Sequence, residues 1–291
     1  MTQTRWHKLC AILTLSLMVL VGCVQQTAPG MPSPSPETNK LRVHFIDVGQ
    51  ADAILVQSPE GESLLIDGGN GADGELVANY LKKQGISKLT AVVATHPHED
   101  HIGGLPDALL ALGTKTLYMP DATTTTKTFE RLLDAAEKRA DKVTQAKTGM
   151  KFSVGSAEAT ILSPNAGQRF EELNNYSVVL QLKYGSTTML FTGDAEQPVE
   201  QILLKNAVGL RSDLLKVGHH GGSTSSSDAF LKAVAPKLAV ISVGKDNDYG
   251  HPHRETMQRL EKTSARILRT DRDGTIVVAS DGKSLVVEQP R

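Results

Sequence analysis

From residue 41 onward, apolar and polar positions come in short blocks, each closed by a turn residue. Leu41 to Asp47, Ala53 to Gln57 and Ser63 to Asp67 are rich in Val, Ile and Leu and are separated by Gly49, Pro59-Glu60-Gly61 and Gly68-Gly69. Three strands of an antiparallel meander follow from that pattern. Glu75 to Gln84 switches to helical spacing (Leu76, Val77, Tyr80, Leu81) and meets Gly85, a residue suited to close a helix. Leu89 to Ala94 reads as a buried strand and Leu105 to Leu112 as a short helix with Pro106 in its first turn. Lys127 to Lys142, preceded by four threonines that can cap it, reads as an amphipathic helix.

The second half repeats the style. Strands are expected at 157–162, 177–184, 187–191, 214–218 and 238–243, and near 267, 275–279 and 284–288. Helices are expected at 197–206, 227–234 and 255–263, and Gly185-Ser186 reads as a hairpin turn. Strand-rich segments alternating with helices in both halves predict two packed sheets with helices outside, an α/β architecture in one domain over 41–291.

The front of the chain breaks this pattern. Arg5 and Lys8 precede a 13-residue apolar run, Leu9 to Val21, which is short for a membrane span. The run ends Leu20-Val21-Gly22-Cys23, which resembles a bacterial lipobox. Residues 1–22 are therefore expected to be a lipoprotein signal peptide. Cys23 is the expected lipidation site, holding the domain to the bacterial membrane on its extracytoplasmic side. An uncleaved anchor is the alternative. Residues 23–40 carry Pro29, Pro32, Pro34 and Pro36 among Ser and Thr, a stiff linker.

Composition adds two constraints. The only other cysteine, Cys10, lies inside the leader, so the mature chain offers no disulfide partner and no thiolate for a metal. Without Arg5 and Lys8 the charge stands at 29 basic against 32 acidic residues, a net of −3, which gives no global attraction to nucleic acid. The stripe Lys127 to Lys151, with seven basic and four acidic residues, is a local exception that reads as a solvated face or a nucleic-acid contact.

Candidate chemistry concentrates at strand ends. Thr95-His96-Pro97-His98-Glu99-Asp100-His101-Ile102-Gly103-Gly104 follows the strand at 89–94 and packs three histidines and an aspartate into six positions. Imidazole and carboxylate are the donors that zinc and similar divalent ions accept in the absence of cysteine. Asp194, after Phe191-Thr192-Gly193, can bridge cations or cap the following helix. One of His219 and His220 can be a ligand while the other contacts substrate or moves a proton. His251, between Gly250 and Pro252, sits in a rigid turn suited to a substrate-facing group or to an ordinary loop histidine. His44 and His253 have no supporting context.

Taken together, Thr95-His96-x-His98-x-Asp100-His101, Leu65-Ile66-Asp67-Gly68-Gly69 and Phe191-Thr192-Gly193-Asp194 resemble the signatures of the metallo-β-lactamase superfamily. Four further stretches resemble one branch of it, the soluble hydrolase domain of the DNA-uptake protein ComEC: Phe45 to Ala53, Asn174 to Leu180, Lys216 to Gly221 and Asn247 to Pro252. The resemblance implies an αββα sandwich of two mixed sheets flanked by helices, with metal at one edge. It assigns His96 and His98 to a first ion, Asp100, His101 and His219 to a second, and Asp194 between them. Asp67 would hold the histidine loop by hydrogen bonds. Two departures stand out. The third histidine of the first site is absent, leaving Asn175 as its candidate neighbour, and Ala51 replaces a glycine in Gly49-Gln50-Ala51-Asp52.

The reading is a metal-dependent hydrolase with one or two Zn²⁺ ions, or Mn²⁺, acting on a phosphodiester such as DNA or a wall polymer. Asp100 would orient the attacking water, and His220 or His251 would contact phosphate or assist the leaving group. A lipoprotein that binds metal, DNA or wall polymer without turnover is the non-enzyme alternative, and a β-lactam or ester hydrolase a third reading.

Overall fold

The computed structural model describes residues 39–206 and 209–288. The leader, Cys23 and the proline-rich segment up to residue 38 lie outside the described residues. No helix among the described residues is long and apolar enough to cross a membrane.

Among the described residues, fifteen strands form two sheets. The first holds β1 (Leu41–Phe45), β2 (Ile54–Gln57), β3 (Ser63–Ile66), β4 (Leu89–Val93), β5 (Thr114–Met119), β6 (Val143–Gln145), β14 (Ile276–Ser280) and β15 (Leu285–Glu288), in the order β15-β14-β1-β2-β3-β4-β5-β6. The second holds β7 (Lys151–Val154), β8 (Ala157–Ser163), β9 (Val179–Tyr184), β10 (Thr187–Phe191), β11 (Leu214–Lys216), β12 (Leu238–Ile241) and β13 (Arg266–Arg269), in the order β13-β12-β11-β10-β9-β8-β7. The meander β1-β2-β3 is antiparallel, as its tight turns require, and β3, β4, β5 and β6 run parallel. In the second sheet β10, β11, β12 and β13 are parallel.

Helices α1 (Gly74–Lys83), α2 (Glu99–Ile102), α3 (Leu105–Leu112) and α4 (Lys127–Arg139) belong to the first half; α5 (Gln197–Lys205), α6 (Asp228–Val234), α7 (Arg254–Glu261) and α8 (Thr270–Asp273) belong to the second. Thr126 caps α4 by accepting from the Phe129 N–H.

The two-residue repeat of a strand explains the layering. Leu64 and Ile66 of β3 face the other sheet, while Leu65 packs under the helices; Met189 and Phe191 of β10 face inward while Leu190 faces outward. The inter-sheet core closes around Phe45 and Phe191, whose ring centroids are 6.4 Å apart. One apolar layer joins α1, α3 and α4 to the first sheet, and another joins α5, α6 and α7 to the second. This is an αββα sandwich of two mixed sheets.

Three strands differ from the sequence expectation. β5 begins Thr114-Lys115-Thr116, whose polar character hides a strand paired on both sides; β6 and β7 are short, half-exposed outer strands. The parallel pairs β3/β4 and β10/β11/β12 deliver their carboxyl ends to one edge of the sandwich, the place where open α/β sheets hold ligands.

Candidate metal centre

Asp67 follows β3 with φ of 57°, a left-handed conformation that Asp tolerates better than most residues. Its carboxylate accepts from the Thr95 N–H at 2.8 Å, from the Thr95 hydroxyl at 2.7 Å and from His101 Nδ1 at 2.8 Å. Asp67 thus ties the histidine loop to the end of β3. With Nδ1–H committed to a carboxylate, His101 turns an Nε2 lone pair toward the edge.

His220 is oriented the same way from the second sheet, its Nδ1 donating to the Ser242 carbonyl at 2.9 Å. Its Nε2 lies 3.2 Å from Asp100 Oδ2 and 3.5 Å from Asp194 Oδ2. His101 Nε2 lies 3.3 Å from Asp194 Oδ2 and 3.7 Å from Asp100 Oδ2. One ligand atom each from Asp100, His101, Asp194 and His220 falls within 4.8 Å of the others.

His101 Nε2, His220 Nε2 and Asp194 Oδ1 are all buried without a hydrogen-bond partner. Orphaned buried polar atoms are costly and rare. The two imidazole nitrogens converge with Oδ2 of Asp194 and with Asp100, an arrangement that fits one divalent ion, and nitrogen with carboxylate oxygen is a donor set that zinc and manganese accept.

Electrostatics agree. Burial alone would pull the His101 imidazole down, yet Asp194, Asp100 and Asp67 together hold it well above the usual histidine range. Burial would likewise lower His220, but Asp194 and Asp52 raise it. Burial pushes Asp194 up, and His101 and His220 overcome this and hold it well below the carboxylate range; Asp100 is lowered in the same way, chiefly by His101. A field that retains protons on buried imidazoles is one in which a divalent cation would displace them.

The geometry separates the two adjacent histidines. His219 is a quarter exposed, with Nε2 3.9 Å from Asp194 Oδ2 and 3.4 Å from Asn174 Nδ2, and Nδ1 3.1 Å from the Thr224 hydroxyl. His219 and His220 both have φ of 51°, and this paired left-handed backbone turns the second ring inward and leaves the first at the rim. Of the pair, the structure therefore brings His220 and not His219 together with Asp100, His101 and Asp194, and leaves His219 at the rim of the cleft.

His96 and His98 stand beside the cluster and not in it. His96 is fully buried, with Nε2 3.1 Å from His98 Nδ1 and Nδ1 3.3 Å from the Ser177 hydroxyl. Desolvation, followed by the charge of His101, holds His96 well below its usual range. Asn175 does not join them: its side chain donates to Glu196 Oε2 at 3.1 Å and accepts from the Glu196 N–H at 3.3 Å. The residue facing the cleft is Asn174, because consecutive positions of the tight turn Leu173–Tyr176 point in different directions.

A cleft of about 340 Å³ opens above Asp100, Asp194 and His220, walled by Gln50, His98, Asn174, His219, Tyr249 and His251. His251 is half-buried, and burial with the nearby His219 and His220 lowers it to about 4. His253 is structural, joining the Ser223 N–H and the Tyr249 carbonyl. In the turn carrying Ala51, Gly49 takes the left-handed φ of 69°, so the alanine meets no conformational penalty.

Two residues unforeseen from sequence lie beneath the cluster. Lys216 is fully buried at the inward-facing end of β11, and its Nζ lies 2.7 Å from Asp52 Oδ2 and 3.0 Å from the Val217 carbonyl. Asp52 Oδ1 is 3.5 Å from His220 Nδ1, and Asp52 Oδ2 is 3.9 Å from His101 Nδ1. The Asp52 N–H also donates to the Asp100 carbonyl at 3.1 Å. The signal was present in the sequence: Lys216 shares the strand face of Leu214, an inter-sheet core position.

A family model for the metallo-beta-lactamase superfamily matches residues 46–245. The chain belongs to the metallo-β-lactamase superfamily. Its His/Asp cluster at the sheet edge is typical of metal-dependent hydrolases of this fold. ComE operon protein 3 of Bacillus subtilis is 33% identical over 80% of this chain and 32% of its own length. Recombination protein 2 of Haemophilus influenzae is 30% identical over 86% of this chain and 30% of its own length. Competence protein ComA of Neisseria gonorrhoeae is 28% identical over 90% and 35%. The chain spans about a third of the length of these relatives. Among solved structures, the metallo-beta-lactamase fold protein YhfI from Bacillus subtilis matches with a TM-score of 0.52 at 17% identity, covering 83% of this chain and 100% of that one. That likeness carries the fold.

Proposed function

We propose that this protein is a metal-dependent phosphodiesterase, held outside the cytoplasmic membrane by lipid on Cys23, with DNA as the substrate class to test first. The observation that carries the hydrolase reading is the convergence of His101 Nε2 and His220 Nε2, both buried without a hydrogen-bond partner, on the Asp194 carboxylate beside Asp100. Relatives named for competence and recombination direct the substrate choice to nucleic acid, and the leader ending in Cys23 supports the tether.

A divalent ion bound by Asp100, His101, Asp194 and His220 would supply Lewis acidity, drawing electron density from a phosphoryl oxygen and making water a nucleophile near neutral pH. The protein's own groups do the rest. Asp67 and Ser242 fix the two imidazoles so that each offers one lone pair. Asp100, about a third exposed, is the carboxylate that reaches from the cluster into the cleft, where it can orient an attacking water. Asn174, His219 and His251 line the same cleft, placed to hold phosphoryl oxygens as a P–O bond forms and the opposite one breaks.

Purified protein supplied with zinc or manganese is expected to cleave bis(p-nitrophenyl) phosphate and single-stranded DNA. The double variant Asp100→Ala with His101→Ala should lose both activities; retention of either overturns the site. Cys23→Ala should move the protein from the membrane fraction to the soluble one.

A further inference from the structure

Gln50 has a role that no motif assigns. It sits in the turn between β1 and β2, where its backbone passes so close to Gly244 that a Cβ at residue 244 would lie 2.7 Å from Gln50 N. This approach lets the Gly244 N–H donate to Gln50 Oε1 at 3.0 Å. A backbone N–H can only donate, so the amide orientation is decided: Oε1 faces Gly244 and the NH₂ faces the other way. What it faces is His251 Nδ1, at 3.2 Å from Gln50 Nε2. A nitrogen that accepts from an amide N–H carries a lone pair, and the ring hydrogen then resides on Nε2.

The ring has little freedom to escape this arrangement. Asn247 accepts from the His251 N–H at 3.0 Å and donates to the His251 carbonyl at 2.7 Å, and Tyr249 stacks on the imidazole with centroids 5.7 Å apart. Gln50 and His251 both wall the cleft above Asp100, Asp194 and His220.

We propose that Gln50 is a positioning residue that locks His251 in the Nε2–H tautomer, making it a fixed hydrogen-bond donor to an oxygen of the bound phosphoryl group. The identity of the acceptor rests on the phosphodiesterase reading; the lock does not. His251 in this state holds charge on oxygen and accepts no proton, which separates it from a general base.

The test is long-range ¹H–¹⁵N correlation of the ring nitrogens in the ¹⁵N-histidine-labelled protein, metal-free and zinc-loaded, with the His251 signals assigned by their loss in His251→Gln. Wild type should show an unprotonated Nδ1 and a protonated Nε2. Gln50→Glu, which offers a carboxylate where the N–H was, should move a proton onto Nδ1. Gln50→Leu should average the two nitrogens and lower kcat on bis(p-nitrophenyl) phosphate by about tenfold, the loss of roughly one aligned hydrogen bond, at unchanged metal content. A protonated Nδ1 in wild type, or the wild-type tautomer surviving in Gln50→Leu, overturns the lock. The expected tautomer in a protein that turns over no phosphodiester would leave the lock standing and overturn the substrate assignment alone.

Discussion

Replacing Lys216 by Met should destabilise the metal-free protein far more than removing both Lys216 and its partner. Lys216 and Asp52 have side chains 0% and 1% exposed with Nζ and Oδ2 2.7 Å apart, so Met at 216 fills the volume but leaves a carboxylate buried without its cation. Breaking such a pair from one side costs about 3–5 kcal/mol. His220 Nδ1 at 3.5 Å and His101 Nδ1 at 3.9 Å from the Asp52 carboxylate soften the loss, which favours the lower end, about 3 kcal/mol. In a domain of this size that is a fall in Tm of roughly 10 °C. Asp52→Asn combined with Lys216→Met removes both charges and should recover much of the loss, giving a coupling energy of about 1.5 kcal/mol or more. Urea unfolding of the four proteins in chelator, followed by circular dichroism, measures the cycle. A Lys216→Met variant within 1 kcal/mol of wild type, or a double variant as unstable as the sum of the singles, would show that the ion pair is not what holds the sheets together beneath the site.

His44 is buried on β1 beside Tyr80, and burial followed by the Arg42 charge lowers it to about 4 from 6.5. Above pH 6.5 the ring is neutral folded or unfolded and contributes nothing. Between 6.5 and about 4 only the unfolded chain takes the proton, so stability drains away by about 3 kcal/mol over that window and the loss is complete below 4. His44→Gln should flatten the decline in denaturant unfolding measured from pH 7 to 4; an unchanged slope would contradict the assignment. Asp67→Asn keeps the shape but weakens the acceptor for His101, and should reduce metal affinity roughly 10–100-fold in competition with a chromophoric chelator. Equal affinity would remove Asp67 from the support of the site.

The histidine loop was legible because the run Leu89 to Ala94 is apolar, β-branched and abruptly ended, which marks a buried strand delivering its end to an edge. The layers were legible for a similar reason, since alternate residues of β3 and β10 are apolar on both faces. β5 was not, because Thr114-Lys115-Thr116 carries no hydrophobic alternation and is fixed by neighbours on both sides that local pattern does not encode. Nor could spacing decide between His219 and His220, or Asn174 and Asn175. Adjacent identical residues have the same chemistry, and only the left-handed φ values of one pair and the tight turn of the other determine which side chain turns inward. Lys216 carried one local cue, its place on the Leu214 face of β11, whereas Asp52 looks like an ordinary loop charge until the two sheets close over it.

If Asp100, His101, Asp194 and His220 hold a divalent ion, metal stoichiometry will follow these residues and not His219. Native mass spectrometry of wild type, His220→Ala and His219→Ala, each dialysed against the same zinc buffer, should show wild type and His219→Ala with the same bound metal and His220→Ala with at least one ion fewer. Loss of the ion in His219→Ala with retention in His220→Ala would show that His219, and not His220, is the ligand.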